Sequence, residues 1–118
     1  MIKQTPPPLI ASEQLRPAVR ILRALAHPLR LRIIRVIEEN NGSANVGEIF
    51  ATLKIEQSVA SQHLRILRQA ALVNTRRDRK FVYYSLDYDR IALATSAIGF
   101  LEKMDIAPKK NRKNKPPH

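Results

Sequence analysis

Between positions 57 and 69 the chain carries Gln57, Ser58, Ser61, Gln62, Arg65, Arg68 and Gln69, with no acidic residue among them. These side chains share one chemistry, hydrogen bonding to base edges and phosphates. Gln pairs bidentately with adenine, Arg pairs bidentately with guanine, and Ser reaches a base or a phosphate. Each residue of a helix advances about 100° around the axis. With Gln57 at zero, the seven polar residues fall between about 0° and 140° on that spacing. Ala60, Leu64, Leu67 and Ala71 fall between about 280° and 340°. A helix over 57–70 therefore packs one side and offers the other to a groove. Gln57, Ser58, Ser61, Gln62 and Arg65 are the candidate base readers, and Arg68 a candidate phosphate contact. The competing reading is a merely solvated face, but such faces mix Glu with Lys. His63, at about 240° on the same spacing, points toward the packed side. A half-buried structural histidine is favoured there over a DNA contact.

A second cluster follows. Arg76, Arg77, Arg79 and Lys80 place four cations in five positions, opposed only by Asp78. Around them the hydrophobic period shifts to 2. Residues 72–76 and 81–86, rich in Val, Thr, Phe and Tyr, flank the polar run 77–80 and read as a β-hairpin. At its tip the four cations can meet phosphates beside the groove. The alternative is a charged tip that protects strand edges from pairing. Tyr83 and Tyr84 point to opposite faces by alternation, and are read as packing residues.

These two clusters need a frame. Ser12 is a candidate cap for a helix over 13–26, with Leu15, Ala18, Val19, Leu22 and Leu25 as its apolar stripe and Pro17 near its first turn. Pro28 suits the first position of a second helix. That helix packs Leu29, Ile33, Val36 and Ile37, widened by Leu31 and Ile34, and ends at Asn40-Asn41-Gly42. Asn45 and Glu48 form a capping box for a third helix over 46–54, where Val46, Ile49, Phe50 and Leu53 recur at helical spacing. Two or three residues separate it from the helix over 57–70, the spacing of a helix-turn-helix. Asp87 can cap a last helix, 87–104, with Ile91, Ala94, Ile98 and Leu101 on one face. The expected fold is mainly α, a winged helix-turn-helix of five helices, with a two-stranded hairpin between the fourth and fifth.

The charge balance agrees with a polyanionic partner. The 118 residues hold 21 Lys and Arg against 10 Asp and Glu, a formal net charge of +11. Five of those charges lie in 108–118, which leaves a basic folded part. The expected layout is an N-terminal arm over 1–11, one domain over 12–106 and a basic tail over 107–118. There is no cysteine, which excludes disulfides, thiolate metal sites and thiol redox sensing. No secretion signal is apparent near Met1, and the longest apolar stretch, 91–101, is too short for a bilayer. A cytoplasmic protein without membrane contact and without a cofactor is expected.

The chain resembles the ArsR/SmtB family of winged-helix repressors in three runs. Residues 24–34, Ala-Leu-Ala-His-Pro-Leu-Arg-Leu-Arg-Ile-Ile, are similar to that family's first-to-second helix junction. Residues 57–68, Gln-Ser-Val-Ala-Ser-Gln-His-Leu-Arg-Ile-Leu-Arg, are similar to its recognition helix. Leu72-Val73, Arg76-Arg77 and residues 82–86 are similar to its wing. The resemblance covers about 13–104 and implies a homodimer on a two-fold symmetric, palindromic operator in double-stranded DNA. It also implies a dimer interface from the first and last helices, through Leu15, Val19, Leu22, Ile91, Ala94, Ile98 and Leu101. Small residues in the last helix (Ala92, Ala94, Ala97, Gly99) suit close helix approach.

The chain departs from the family's metal sensors. Asn45-Val46-Gly47 stands where arsenic sensors carry cysteines. Asp87 and Asp89 stand at the first zinc-sensor positions, but Phe100 and Lys103 occupy the later ones. A carboxylate pair without imidazole is a poor transition-metal site, so no metal is expected and Asp87 is read as a cap. Glu56 replaces the usual Ser or Thr cap, Ala71 a frequent helix-ending glycine, and Arg79 a common wing glycine. The last change implies a loop longer than, or different from, the simplest Asp-Gly turn.

Three functions compete at this point: a sequence-specific DNA-binding repressor, a winged-helix module that binds protein through Tyr83 and the last helix, and a nonspecific nucleic-acid binder. An enzyme is the weakest reading. There is no Gly-rich phosphate loop and no His beside both a nucleophile and an acid.

Overall fold

A computed structural model describes residues 12–103. A single turn of 3₁₀ helix at Ser12–Gln14 leads into α1 (Leu15–Leu25), followed by α2 (Pro28–Glu39), β1 (Ser43–Asn45), α3 (Val46–Leu53), α4 (Gln57–Gln69), β2 (Val73–Asp78), β3 (Phe81–Leu86) and α5 (Tyr88–Lys103). This is the winged helix-turn-helix expected from the sequence. The arms at 1–11 and 107–118, and the end of the last helix at Met104, lie outside the described residues.

The wing differs from expectation in two ways. The sheet has three strands, in the order β1-β3-β2, because β1 pairs antiparallel with β3 through Ser43↔Ser85, Ala44↔Tyr84 and Asn45↔Tyr83. Ser-Ala-Asn has little intrinsic strand preference, and its pairing is fixed by burial of Ala44 (0% exposed) rather than by propensity. The hairpin is also tighter than the missing glycine suggests. Asp78 pairs with Phe81, so Arg79 and Lys80 alone make the turn. Arg79 takes the left-handed φ of 61° that glycine usually supplies.

Helix boundaries follow local chemistry. His27 precedes Pro28, and its Nδ1 accepts the Leu29 N–H at 3.0 Å, capping α2. The Asn45–Glu48 capping box is closed in both directions at 2.8 Å. Helix α4 ends in a Schellman motif. Ala71 N–H donates to Arg68 O at 2.9 Å, Leu72 N–H donates to Leu67 O at 3.0 Å, and Ala71 sits at φ 61°. Asp87 caps α5, its Oδ1 accepting the Arg90 N–H at 3.1 Å.

The core gathers Ile33, Val36 and Ile37 of α2, Ile49 and Leu53 of α3, Leu64 and Leu67 of α4, and Leu72, Val73 and Leu86 from the wing. The first helix is turned relative to the expected stripe. Ala18, Ile21 and Ala24 face inward, whereas Leu15 (41% exposed) and Val19 (45% exposed) face outward. It therefore has two apolar faces about 100° or more apart, and sequence periodicity alone blends them. Leu31, expected to widen the packed face of α2, is 53% exposed.

Ala71 holds its left-handed backbone at the expense of a steric clash that glycine lacks. The Ala71→Gly variant is therefore expected to gain about 1 kcal/mol in urea unfolding, and Asn45→Ala to lose about 1 kcal/mol. Both are read at one fixed protein concentration. A destabilised Ala71→Gly protein would contradict the assigned helix end.

Candidate nucleic-acid interface

The turn between α3 and α4 comprises Lys54, Ile55 and Glu56, with Lys54 in the left-handed region at φ 56°. It ends α3 in a Schellman arrangement, Ile55 N–H donating to Phe50 O at 3.1 Å, and redirects the chain into α4. There Ala60, Leu64 and Leu67 are buried to 0% exposure. That packing holds one side of the helix against α2 and α3. The opposite side is thereby turned outward, and Gln57, Ser58, Ser61, Gln62, Arg65, Arg68 and Gln69 are all exposed. No acid lies within α4, and Glu56 at its N-cap makes no side-chain capping bond. The acid still complements the positive helix N-terminus.

His63 lies half-buried on the other flank of α4. Its Nδ1 accepts a hydrogen bond from Arg30 Nε at 3.2 Å, and its ring centroid is 4.5 Å from that of His27. Arg30 Nη1 also donates to Ala24 O at 3.0 Å. One guanidinium therefore ties the end of α1 to α4. At the far end of α4, Arg90 Nη2 donates to Ala70 O at 3.2 Å and so secures the helix C-terminus to α5. Sequence reasoning missed both arginines. Their partners lie 33 and 20 residues away, and a local pattern carries no trace of them. The only available hint was the His27-Pro28 junction beside Arg30.

All four cations of the wing are exposed, but they are not equivalent. The register places Arg76, Asp78, Phe81 and Tyr83 on one face. Arg76 stacks over the Tyr83 ring, Cζ 5.0 Å from its centroid, and lies 3.8 Å from Asp78. An exposed pair at that distance is weak, so Arg76 is partly occupied rather than neutralised. Lys80 Nζ lies 5.6 Å from the Phe81 centroid. Arg77 is paired with Val82 on the opposite face, and Arg79 forms the tip. Tyr84 packs on the core and Tyr83 on the other side, the opposed arrangement expected from alternation.

Of the residues expected at a dimer contact, Leu15, Val19 and Ile98 are exposed, Leu22 and Ile91 are half-buried against the core, and Ala94 is buried within it. The Leu101 side chain lies outside the description. Asp89 is exposed and Asp87 is engaged as a cap. Among the described residues no group of three or more His, Asp or Glu side chains is placed to hold a metal ion. Among them, too, no helix is long and apolar enough to cross a membrane.

A helix-turn-helix with its second helix exposed along a Ser/Gln/Arg face, followed by a basic hairpin, defines a winged-helix DNA-binding protein. Comparison with known proteins gives the family. The chain belongs to the arsR family of bacterial regulatory proteins, which are DNA-binding transcriptional regulators, with the family pattern matching residues 27–75. It is 40% identical over 92 residues to the biofilm growth-associated repressor of Agrobacterium fabrum, covering 77% of this chain and 77% of that protein. It is 44% identical over 69 residues to the transcriptional activator HlyU of Vibrio cholerae, covering 58% of this chain and 62% of that protein. The solved structure of HlyU from Vibrio cholerae N16961 matches with a TM-score of 0.60 at 30% identity, over 80% of this chain and 97% of that one.

The seat of His63 has a pH consequence. Burial, then the nearby His27 and Arg30 charges, hold its pKa below the ordinary 6.5. As pH falls below that value the unfolded chain takes up the proton first, so stability declines until the folded protein protonates as well. Above it both states are neutral and nothing is gained or lost. Between about pH 7 and about pH 5, the wild-type Tm should therefore drop further than that of His63→Gln. Parallel pH profiles would remove His63 from this role.

Proposed function

We propose that the protein is a dimeric, sequence-specific repressor that binds a palindromic operator in double-stranded DNA. The observation carrying this is the acid-free, fully exposed face of α4 opposite a fully buried one. Gln57, Ser58, Ser61, Gln62 and Arg65 read base edges, and Arg68, Arg76, Arg77, Arg79 and Lys80 hold phosphates. One domain over 12–106 carries both DNA binding and dimerisation, and the basic tail over 107–118 adds nonspecific attraction. The repressor sense follows the Agrobacterium relative, whose name says as much. A cytoplasmic location follows from the DNA target. The regulator works without a cofactor or transition-metal sensor, a reading supported by the absence of cysteine and by Asp87 being spent on a cap.

Duplexes selected from a random pool supply the test. Gln62→Ala should lower the preference for selected over random DNA by about 1–3 kcal/mol at one base position. Arg79→Ala should weaken both alike and reduce the salt slope by about one. It retains an L-residue at the left-handed turn, so the comparison isolates the charge. An unchanged specificity ratio in Gln62→Ala would refute base reading by that side chain.

The dimer is proposed to form through α1 and α5. Leu15, Val19 and Ile98 supply exposed apolar surface, with Leu101 continuing the last helix and Leu22, Ile91 and Ala94 supporting it from beneath. Two protomers also match two half-sites of a palindrome. A charge placed in such a contact loses solvation on association. Ile98→Glu should sediment as a monomer under conditions where the wild type is a dimer; a wild-type monomer would defeat this part of the reading.

A further inference from the structure

A cleft of about 320 Å³ opens between α1, α2 and the C-terminal half of α4, lined by Arg20, Arg23, Ala24, Arg30, Ile66, Gln69 and Ala70. Three arginines line it, and no acidic residue does. Among the described residues the ion pairs are Arg35–Glu39 and Arg76–Asp78, so none of the three is held by an acid. Arg30 is not a loose surface cation. Its Nη1 bond to Ala24 O and its Nε bond to His63 fix the guanidinium, leaving three of its five N–H donors outside those bonds. Arg20 and Arg23 extend from one side of α1, three positions apart and therefore neighbours on the helix surface. Gln69 adds a neutral amide, and Ala24, Ile66 and Ala70 form an apolar wall.

We propose that this cleft is an oxyanion-binding site, suited to the phosphate or carboxylate group of a small organic anion. Arginine presents forked donors that match both groups bidentately, and the volume lies at the lower end of small-ligand pockets. The apolar wall accommodates a compact organic body beside the charged head. On the 100° spacing Ile66 and Ala70 lie at about 180° and 220°, off the base-reading face. Gln69, at about 120°, stands at the edge of the polar face, so the cleft borders the DNA-reading surface while including none of the five candidate base readers. The same oxyanion chemistry has a second source, a phosphate of the DNA backbone running past α1, and the experiment separates the two.

In the first arm the full chain is titrated with phenyl phosphate by calorimetry, at constant ionic strength in chloride and without DNA. Wild type should bind saturably, and Arg20→Gln and Arg23→Gln should each raise Kd about tenfold. Arg32→Gln, an exposed cation outside the cleft, should leave Kd unchanged. Arg30→Gln should weaken binding most. Because it also removes two packing bonds, the inference rests on the two α1 variants. In the second arm the salt dependence of binding to a random duplex is compared for wild type and the Arg20→Gln/Arg23→Gln double variant.

Phenyl phosphate binding that depends on Arg20 and Arg23, with an unaltered salt slope, identifies a free-ligand site. A slope reduced by about two without phenyl phosphate binding identifies a DNA phosphate as the occupant. Equal behaviour of wild type and variants in both arms, or phenyl phosphate binding that Arg32→Gln weakens as much, overturns the proposal. The first arm uses no DNA, so its outcome is independent of the repressor reading.

Discussion

The seating of α4 by Ala60, Leu64 and Leu67 is the constraint from which the rest of the molecule follows. These side chains are fully buried, and Leu64 and Leu67 join Ile33, Ile37, Ile49 and Leu53 in the hydrophobic core. Burial of each large aliphatic side chain contributes on the order of 1.5–3 kcal/mol, so the orientation of α4 about its own axis is strongly specified. The polar face then has no freedom to turn inward. Exposure of Gln57, Ser61, Gln62 and Arg65 is thus a consequence of packing on the opposite side. The DNA-facing chemistry is rigid because the hydrophobic chemistry behind it is.

Much of this was legible because it is local. The capping box at Asn45 and Glu48, the cap at Asp87, the place of Pro28 at the start of α2, and the period of α3 and α4 are each set by residues close in the chain, and the structure contains them as read. What was not legible depends on distant chain. The strand at Ser43–Asn45 exists because Tyr84 and Ser85 lie alongside it. Ile21 went unrecognised as a core residue because α1 is apolar on two sides, and the packing of α2, α4 and α5 decides which side is inward. Arg30 and Arg90 had no role legible in the sequence, because their acceptors His63 and Ala70 lie in α4 and at its end, far along the chain. The candidate base readers were found by helical arithmetic, whereas the basic cleft between α1 and α4 could not be, since no single element carries it.

Positive φ angles mark the joints of the fold. Asn41, Lys54, Ala71 and Arg79, none of them glycine, occupy the left-handed region. Asn41 and Lys54 end α2 and α3, Ala71 ends α4, and Arg79 turns the wing. At Lys54, Ala71 and Arg79 the change of direction is therefore made by a residue for which that backbone is unfavourable by roughly 1 kcal/mol, whereas at the end of α2 Asn41 tolerates it and Gly42 follows at φ 83°. Packing on either side over-determines these joints. At Ala71 the buried Leu72 follows immediately, and its N–H closes back on Leu67, so the helix end and the entry to β2 are fixed together. At Arg79 the ladder of β2 on β3 does the same from Val73 to Asp78. The gain at the tip is chemical: an arginine stands where a glycine would contribute no charge.

The same logic orders the cations. Arg30 and Arg90 lie at the two flanks of α4 and spend donors on backbone carbonyls and on His63, so they act as braces of the reading helix. Arg76 leans on Tyr83 and Asp78, which limits its rotamers and keeps it close to the wing surface. Arg65, Arg68, Arg77, Arg79 and Lys80 stand exposed on α4 and the wing. A basic excess that looks uniform in composition thus includes braces that hold the fold, exposed cations on α4 and the wing, and others, such as Arg20, Arg23 and Arg32, on α1 and α2. Neutralising a brace would disturb the geometry of every proposed base contact at once, whereas neutralising an exposed cation of the wing would subtract only its own proposed phosphate contact.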